Sequence, residues 1–449
     1  MYGKTDDSPK NSMNKAIFWG FLARSWSFLA GLVTVSLVTG FFTPEQQGYY
    51  YTFGSLLALQ IFFELGLTNV LVQFAGCEFA KIHWLQDGEL EGDSVAIQRF
   101  LTLSKKGVFW FGVASILFIA ILAPVGLSFF QQCDSGSFAW RIPWLLAVAG
   151  TAMNLASVPF WGVLTGAGQI HLANKRSLLG GLLGCALAWI GIYCGYGLYS
   201  VFMIAFGNAV FSWGLLFFEF RKFLRRILCH RSDSNQVDDI SWGRDIWPMQ
   251  WRIALSWASG YFIFQLFTPV LFTYQGAKIA GQMGLTLAMR NAILAVAMVW
   301  TGARNPEMCR LIALKDWPAL DALFRRLMGE TTLVVLGASS AGLGLVWYLQ
   351  GIPRFAERFL SLDLVAVQLF STLLAIWGDN MATYCRAHKV EPFLGVSIIS
   401  AVAQGCLTWI TGKYYSVDSL VYASMWLNLL FGLPMAVYIW QNQRKSHIR

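Results

Sequence analysis

Long apolar stretches separated by short polar segments run through almost the whole chain. A helix needs about 20 mainly apolar residues to cross the hydrocarbon core of a bilayer. On that rule the pattern predicts about 12 transmembrane helices and an all-α polytopic membrane protein. The predicted spans are 16–42, 50–74, 107–130, 141–165, 178–197, 199–220, 246–272, 280–303, 329–350, 363–386, 393–412 and 419–440.

The composition agrees with a lipid environment. Hydrophobic residues make up 56% of the chain and charged residues only 13%, whereas a globular domain carries about 25% charged residues. A water-soluble core could not bury so much apolar surface. Residues 1–15 are polar and the first apolar stretch is too long for the core of a signal peptide, so no cleavable signal is expected.

Lysine and arginine are unevenly distributed between the predicted loops. If the N-terminus is cytoplasmic, 25 of the 33 lysines and arginines fall in cytoplasmic segments and 5 in external ones. This asymmetry predicts that both termini are cytoplasmic, because cytoplasmic loops of membrane proteins are enriched in these residues. It also explains the net charge of +9 without a nucleic-acid partner. The basic stretch 221–231 is interpreted as a topology determinant.

A weak two-fold repeat is visible. Ser25-Trp26 in the first span matches Ser256-Trp257 in the seventh, and Gly48 and Gly281 each follow at a similar distance. Repeated halves are common in transporters, although a chance match stays open in a chain with 20 tryptophans. The predicted division is an N-terminal tail 1–15, an N-lobe 16–220, a basic inter-lobe loop 221–245, a C-lobe 246–440 and a C-terminal tail 441–449.

The longest predicted cytoplasmic loops, 75–106 and 304–328, each end in an amphipathic piece. Each loop has room for one short helix plus connections, and both pieces are expected to lie on the inner membrane surface. In the second, Asp316 is expected to cap a helix that has Pro318 in its first turn.

Five charged residues lie inside predicted spans: Arg24, Glu64, Arg252, Arg290 and Asp379. A charge at the bilayer centre costs at least about 2.5–3.5 kcal/mol, so it usually has a function. Because three of the five are arginines, we expect an anionic cargo.

The charges of the first two spans share helix faces with polar residues. Ser27 and Thr34 follow Arg24 on one small, polar face of the first span, and this face should point into the bundle or a cavity. In the second span Gln60, Glu64 and Thr68 would stack at i+4 spacing. A structural ion pair between Arg24 and Glu64 is the alternative, and Glu64 is also a candidate for ion coupling.

The charges of the C-terminal half differ in depth. Arg290 stacks with Gln282 and Thr286 and lies about ten residues in from the outer end of its span, near mid-membrane. Arg252 lies near the cytoplasmic end, where it could bind cargo or snorkel to the interface.

Ser256 and Ser259 extend the face of Arg252 inward. Asp379 has three open interpretations, which are pairing with Arg386, capping a broken helix or binding a coupling ion. Cysteine and histidine spacing indicates neither disulfides nor a metal site.

Two short motifs resemble a known family. The run FTPEQQGYYYTF at 42–53, followed by QIFFELG at 60–66, resembles the first helical hairpin of the O-antigen and exopolysaccharide flippases. These are polysaccharide transporters of the multidrug/oligosaccharidyl-lipid/polysaccharide (MOP) exporter superfamily. The twelve-helix plan is similar over the whole chain, and the sequence likeness is best over about residues 16–75.

The resemblance implies two six-helix lobes forming a V around a central cavity that is lined largely by the first, second, seventh and eighth helices. It implies a flippase of the bacterial inner membrane that moves undecaprenyl-diphosphate-linked oligosaccharide by alternating access, with no cofactor. An ion gradient or the membrane potential would drive transport. Arg24 and Arg290 would meet the diphosphate, and Arg252 and Glu64 would complete the site. Besides membrane lipids, a polysaccharide polymerase and its chain-length machinery are candidate partners.

Two alternatives stay open. An integral-membrane polymerase, ligase or glycosyltransferase would need a sizeable external catalytic loop, and the predicted external loops are short. A multidrug exporter of the same superfamily would need acidic residues for cationic drugs, and the arginine excess argues against it. The expectation is therefore a transporter and not an enzyme.

Overall fold

The computed structural model describes residues 9–84, 90–133, 136, 138–229, 243, 246–388 and 392–445. Parts of the predicted tails 1–15 and 441–449 and most of the predicted loop 221–245 therefore lie outside the described residues.

Helices account for nearly all of the described chain. In the first part these are α1 (Pro9–Phe41), α2 (Pro44–Leu57), α3 (Ile61–Glu64), α4 (Leu67–Phe79), α5 (Ser94–Gln131), α6 (Arg141–Gly166), α7 (Ile170–Tyr193), α8 (Tyr199–Glu219) and α9 (Arg221–Cys229). In the second part they are α10 (Trp247–Phe264), α11 (Phe267–Gln275), α12 (Ala277–Ala313), α13 (Trp317–Gln350), α14 (Leu362–Ala387), α15 (Leu394–Tyr414), α16 (Val417–Leu427) and α17 (Leu433–Lys445).

The described chain has ten helical segments that are long and apolar enough to cross a membrane, one of which joins α16 and α17. The number rises to 12 if two bent helix pairs each count as one span. The predicted all-α polytopic fold is thus confirmed. The orientation with both termini in the cytoplasm stays a prediction.

The second predicted span is not one regular helix. It is a bent pair in which 44° separates Pro44–Glu64 from Leu67–Phe79. Leu65 and Gly66 have φ of 47° and 66°, in the left-handed region where glycine carries no Cβ penalty. A Cβ on Gly66 would lie 2.4 Å from Cγ2 of Ile253, so glycine is needed here for space as well as for φ.

Contacts divide the chain into two compact units. Unit 1 comprises Met1–Ala30 and Leu56–Ala258, and unit 2 comprises Gly31–Ser55 and Ser259–Arg449. Helices α1, α2 and α10 therefore each contribute one part to each unit. The lobe boundaries expected from the sequence stay a prediction.

Both amphipathic loop pieces belong to longer helices. The first opens α5 directly after a two-stranded hairpin, β1 (Ile82–Trp84) with β2 (Leu90–Gly92), where a short helix was expected. The second opens α13, where Asp316 Oδ1 accepts a hydrogen bond from the Ala319 amide at 3.1 Å. The cap is confirmed. Neither sequence interrupts the helix before the apolar span begins, and the location of both pieces at the inner membrane surface stays a prediction.

Candidate functional site

Arg290 is a buried cation inside unit 2. It lies about a third of the way along α12, and 6% of its surface is exposed. Its guanidinium carbon lies 5.6 Å from the ring centroid of Phe264 on α10. Its buried Nε has no hydrogen-bond partner among the described residues. A buried polar group without a partner is costly, so the position is suited to a ligand that accepts hydrogen bonds.

Asp379 joins Arg290 in this site. It lies on α14, which packs against α12. The Asp379 side chain is exposed. It interacts electrostatically with Arg290 and with Arg386 of its own helix. Among the described residues, no carboxylate oxygen lies within 4.0 Å of a guanidinium nitrogen of Arg290, so Arg290 forms no salt bridge there.

A buried polar network connects the two helices that carry this pair with α13. The Thr301 hydroxyl donates to Asn380 Oδ1 at 2.6 Å, and Asn380 Nδ2 donates to the Thr331 hydroxyl at 2.9 Å. All three residues are at most 1% exposed. The network joins α12, α13 and α14, so it fixes the backbone that carries Arg290 and Asp379.

The polar residues expected beside Arg290 have structural partners. Gln282 Nε2 donates to the Glu357 carbonyl at 2.9 Å, and the Thr286 hydroxyl donates to the Gln282 carbonyl at 2.9 Å. Thr286 is fully buried and Ser259 is 4% exposed. Thr286 and Ser259 therefore pack inside unit 2, and their place on a cavity wall stays a prediction.

Arg24 and Ser27 are exposed on the part of α1 that belongs to unit 1. On the opposite face of this part of α1, the ring of Trp26 lies 5.7 Å from that of Trp189. The Ser27 hydroxyl donates to the Ala23 carbonyl of its own helix at 2.9 Å. Thr34, further along α1, belongs to unit 2 and is half-buried.

Glu64 lies at the break between α3 and α4. Its side chain is half-buried and accepts a hydrogen bond from the Thr68 hydroxyl at 3.4 Å. The carboxylate precedes the N-terminus of α4, where a negative charge is favourable. Among the described residues, no arginine forms an ion pair with Glu64, and this includes Arg24, for which such a pair was the alternative interpretation. Gln60 ends a 3₁₀ turn one helical turn before Glu64, and its place beside Glu64 in a cavity wall stays a prediction.

Arg252 is exposed, and its guanidinium carbon lies 5.6 Å from the ring centroid of Trp251. Ser256, one turn later, is half-buried. This environment fits an interfacial arginine. The roles of Arg24, Glu64, Arg252 and Ser256 in cargo binding stay predictions.

Among the described residues, no group of three or more His, Cys, Asp or Glu is arranged to hold a metal ion. The chemistry that the residues around Arg290 offer is electrostatic. It consists of a buried guanidinium with an unused donor and an accessible carboxylate within its field.

Comparison with known proteins identifies the fold. No known family profile and no curated protein matches the sequence. A multidrug resistance MATE family transporter of the MOP superfamily, in its inward-facing conformation, has a TM-score of 0.64 at 14% identity, covering 93% of this chain and 96% of its own. A MOP superfamily transporter from Pyrococcus furiosus has a TM-score of 0.55 at 14% identity, covering 98% of this chain and 96% of its own.

An outward-facing MATE family structure has a TM-score of 0.54 at 14% identity, covering 98% of this chain and 97% of its own. At this identity the likeness concerns the fold alone, and it extends over nearly the full length of each chain. The protein therefore has the fold of the transporters of the MOP superfamily.

Proposed function

We propose that the protein is a flippase that carries an undecaprenyl-diphosphate-linked oligosaccharide across the bacterial inner membrane by alternating access. The observation that carries this proposal is Arg290, a buried arginine in a membrane-spanning helix whose Nε has no partner. A diphosphate supplies several charged acceptors, and the planar guanidinium binds such groups through paired hydrogen bonds. The lipid tail would stay in the bilayer while the sugars cross.

Asp379 gives the site a way to couple cargo to an ion. In the absence of cargo, the field of Asp379 stabilises the buried charge of Arg290 across the gap between them. A diphosphate bound at Arg290 would leave Asp379 beside a second negative charge. An accessible carboxylate in that position attracts a cation, so Asp379 is the proposed site of the coupling ion.

Three charged residues of unit 1 are also assigned roles in the proposed transport. Arg24 is exposed and is the second proposed diphosphate ligand, whereas Arg252 beside Trp251 is proposed to meet cargo at the membrane interface. Glu64 is the alternative ion-coupling residue, because its carboxylate has only the Thr68 hydroxyl as a side-chain partner among the described residues.

A MOP-type multidrug exporter is the second candidate, favoured by the fold of a multidrug resistance MATE family transporter. Against it, a cationic drug would meet the buried positive charge of Arg290. Reversed polarity of the binding pocket has been linked to a different function in the Pyrococcus furiosus transporter of this fold. An enzyme is the third candidate. The connections expected outside, such as 132–140 and 351–361, are far shorter than the roughly fifty residues expected of an external catalytic loop.

The test uses Arg290→Gln in a strain that lacks the chromosomal copy of the gene, with Arg310→Gln as the matched control. Arg310 is an exposed arginine on the same helix. We expect Arg290→Gln to stop glycan export and to accumulate lipid-linked oligosaccharide, while Arg310→Gln restores export. Membrane levels of both variants are measured alongside.

Normal export with Arg290→Gln at normal protein levels would remove the cargo site from Arg290. Drug sensitivity of the deletion strain without any loss of surface glycan would replace the flippase with the exporter.

A further inference from the structure

Helix α9 separates charged and apolar residues onto two faces. Its apolar side chains Phe223, Leu224 and Ile227 are between 0% and 6% exposed. Its cationic side chains are all exposed, and they follow one another at helical spacing on the opposite face. They are Arg221, Lys222, Arg225 and Arg226.

The apolar face of α9 is already occupied by unit 1. The ring of Phe223 lies 5.3 Å from that of Trp84 in the hairpin and 6.1 Å from that of Phe100 in α5. An ordinary amphipathic helix binds a bilayer by inserting its apolar face. Because that face of α9 is buried in the protein, only the cationic face is available for an external partner.

The position of α9 places this face at the membrane. Helix α8 is a candidate membrane span that ends at Glu219, and α9 begins at Arg221. The residue between them, Phe220, packs against Trp84 and Trp161, with ring centroids 6.4 and 6.5 Å apart. The aromatic contacts hold α9 at the end of the span, within reach of lipid headgroups.

Three of the four cations of α9 have little internal compensation. Within the described ranges, Arg221, Arg225 and Arg226 form no ion pair with a carboxylate. The nearest acidic residue in sequence is Glu219, and Glu91 on the adjoining hairpin is bound to His83 at 3.1 Å. The face is therefore a concentrated positive surface.

We propose that the cationic face of α9 binds the phosphodiester headgroups of anionic membrane lipids and thereby attaches unit 1 to the bilayer surface. Each lysine or arginine near an anionic surface strengthens binding by about fivefold, and salt weakens it. This site is separate from Arg290 and does not depend on the transported cargo. It also assigns the basic stretch a role in the folded protein beyond setting the topology.

The test compares two variants of the full-length protein that carry the same net charge. Arg221→Gln/Arg225→Gln/Arg226→Gln removes three cations from α9. Arg310→Gln/Lys315→Gln/Arg325→Gln removes three exposed cations from α12, α13 and their connection. Each has a net charge of +9 − 3 = +6. Retention of phosphatidylglycerol and phosphatidylcholine by the purified proteins is measured by native mass spectrometry.

We expect the wild-type protein to retain phosphatidylglycerol in preference to phosphatidylcholine and to lose this preference at high salt. The α9 variant should bind phosphatidylglycerol at least about tenfold more weakly, and the control variant should stay close to wild type. Equal retention of the two lipids by the wild-type protein, or equal losses in both variants, would overturn the proposal.

A third variant, Arg221→Lys/Arg225→Lys/Arg226→Lys, keeps the charge of the face. It should bind phosphatidylglycerol nearly as well as wild type, because a headgroup surface is recognised by charge. Loss of binding in this variant would show a guanidinium-specific site and contradict a surface role. If the glutamine variant fails to reach the membrane, the lysine variant and the comparison of the two lipids still decide the question.

Discussion

Gly48 lies at a contact between α2 and α12 in unit 2 that leaves no room for a side chain. A Cβ at Gly48 would lie 1.9 Å from the carbonyl oxygen of Ala277, and a Cβ at Gly281 would lie 2.7 Å from the Gly48 nitrogen. Both neighbours are backbone atoms, which cannot rotate away as the end of a side chain can. Gly48→Ala must therefore move one helix relative to the other.

The size of the effect follows from these distances. Ordinary contact begins at 3.4 Å, so the Ala277 carbonyl would have to retreat by 3.4 − 1.9 = 1.5 Å. Forcing an extra methyl group into a packed interior costs about 1–3 kcal/mol, and a backbone displacement of this size belongs at the upper end. Alanine recovers about 0.5–1 kcal/mol of helix propensity. The expected net loss for Gly48→Ala is therefore about 2 kcal/mol.

Gly54 provides a matched control on the same helix. Nothing lies within 4 Å of a Cβ built there, so Gly54→Ala should keep or slightly raise the stability. The assay is the unfolding temperature of each purified full-length variant in detergent, followed by tryptophan fluorescence. If Gly48→Ala and Gly54→Ala unfold at the same temperature, the close approach of α2 and α12 is wrong.

Two further predictions concern unit 2. Asn380→Leu removes the interhelical hydrogen bonds to Thr301 and Thr331. In an unfolding titration it should lower the free energy of unfolding of the protein by about 1–3 kcal/mol. Adding Thr301→Val should recover part of this loss, because it removes the hydroxyl that Asn380→Leu leaves without a partner. At Glu357, the hydrogen bond donated by Lys278 lowers the pKa of the carboxyl group. The stabilisation of the fold by this pair is therefore complete above the ordinary pKa of about 4.3, and it is lost as the pH falls through the lower folded-state pKa. Glu357→Gln should therefore lower the unfolding temperature slightly at pH 7 and by less at about pH 3, and an equal effect at both would refute the ionic origin.

The architecture was predictable because the bilayer imposes a length on each span, and the apolar stretches of this chain meet that length. The break in the second span was not. Helices in membranes commonly tolerate glycine, so Gly66 alone does not indicate an interruption. The left-handed turn depends on the close packing of Gly66 against Ile253, which is 187 residues away in sequence. Contacts of that separation leave no local pattern.

The candidate site also combines features that follow from the local sequence with features that depend on contacts between distant residues. The depth of Arg290 in its helix indicated an unusual charge, and the structure shows it buried. The sequence left Asp379 with three interpretations, because its link to Arg290 depends on the packing of α12 against α14. Pairing with Arg386 was one of them, and Arg386 does interact with Asp379. No feature of the sequence indicated the electrostatic interaction between Arg290 and Asp379.

The same helix contains a clear example of arginine in a structural ion pair, and Arg290 differs from it. Arg304 Nη2 lies 3.1 Å from Glu330 Oε1 on α13, and Arg326 Nε reaches the same oxygen at 2.7 Å. A pair that only stabilises the fold needs such direct contact, because desolvation otherwise exceeds the attraction. Arg290 is more deeply buried than Arg304, has an unsatisfied Nε, and meets Asp379 only across a gap. A fold selected for stability alone would have closed that gap, whereas a site that must admit and release an anion has to leave it open.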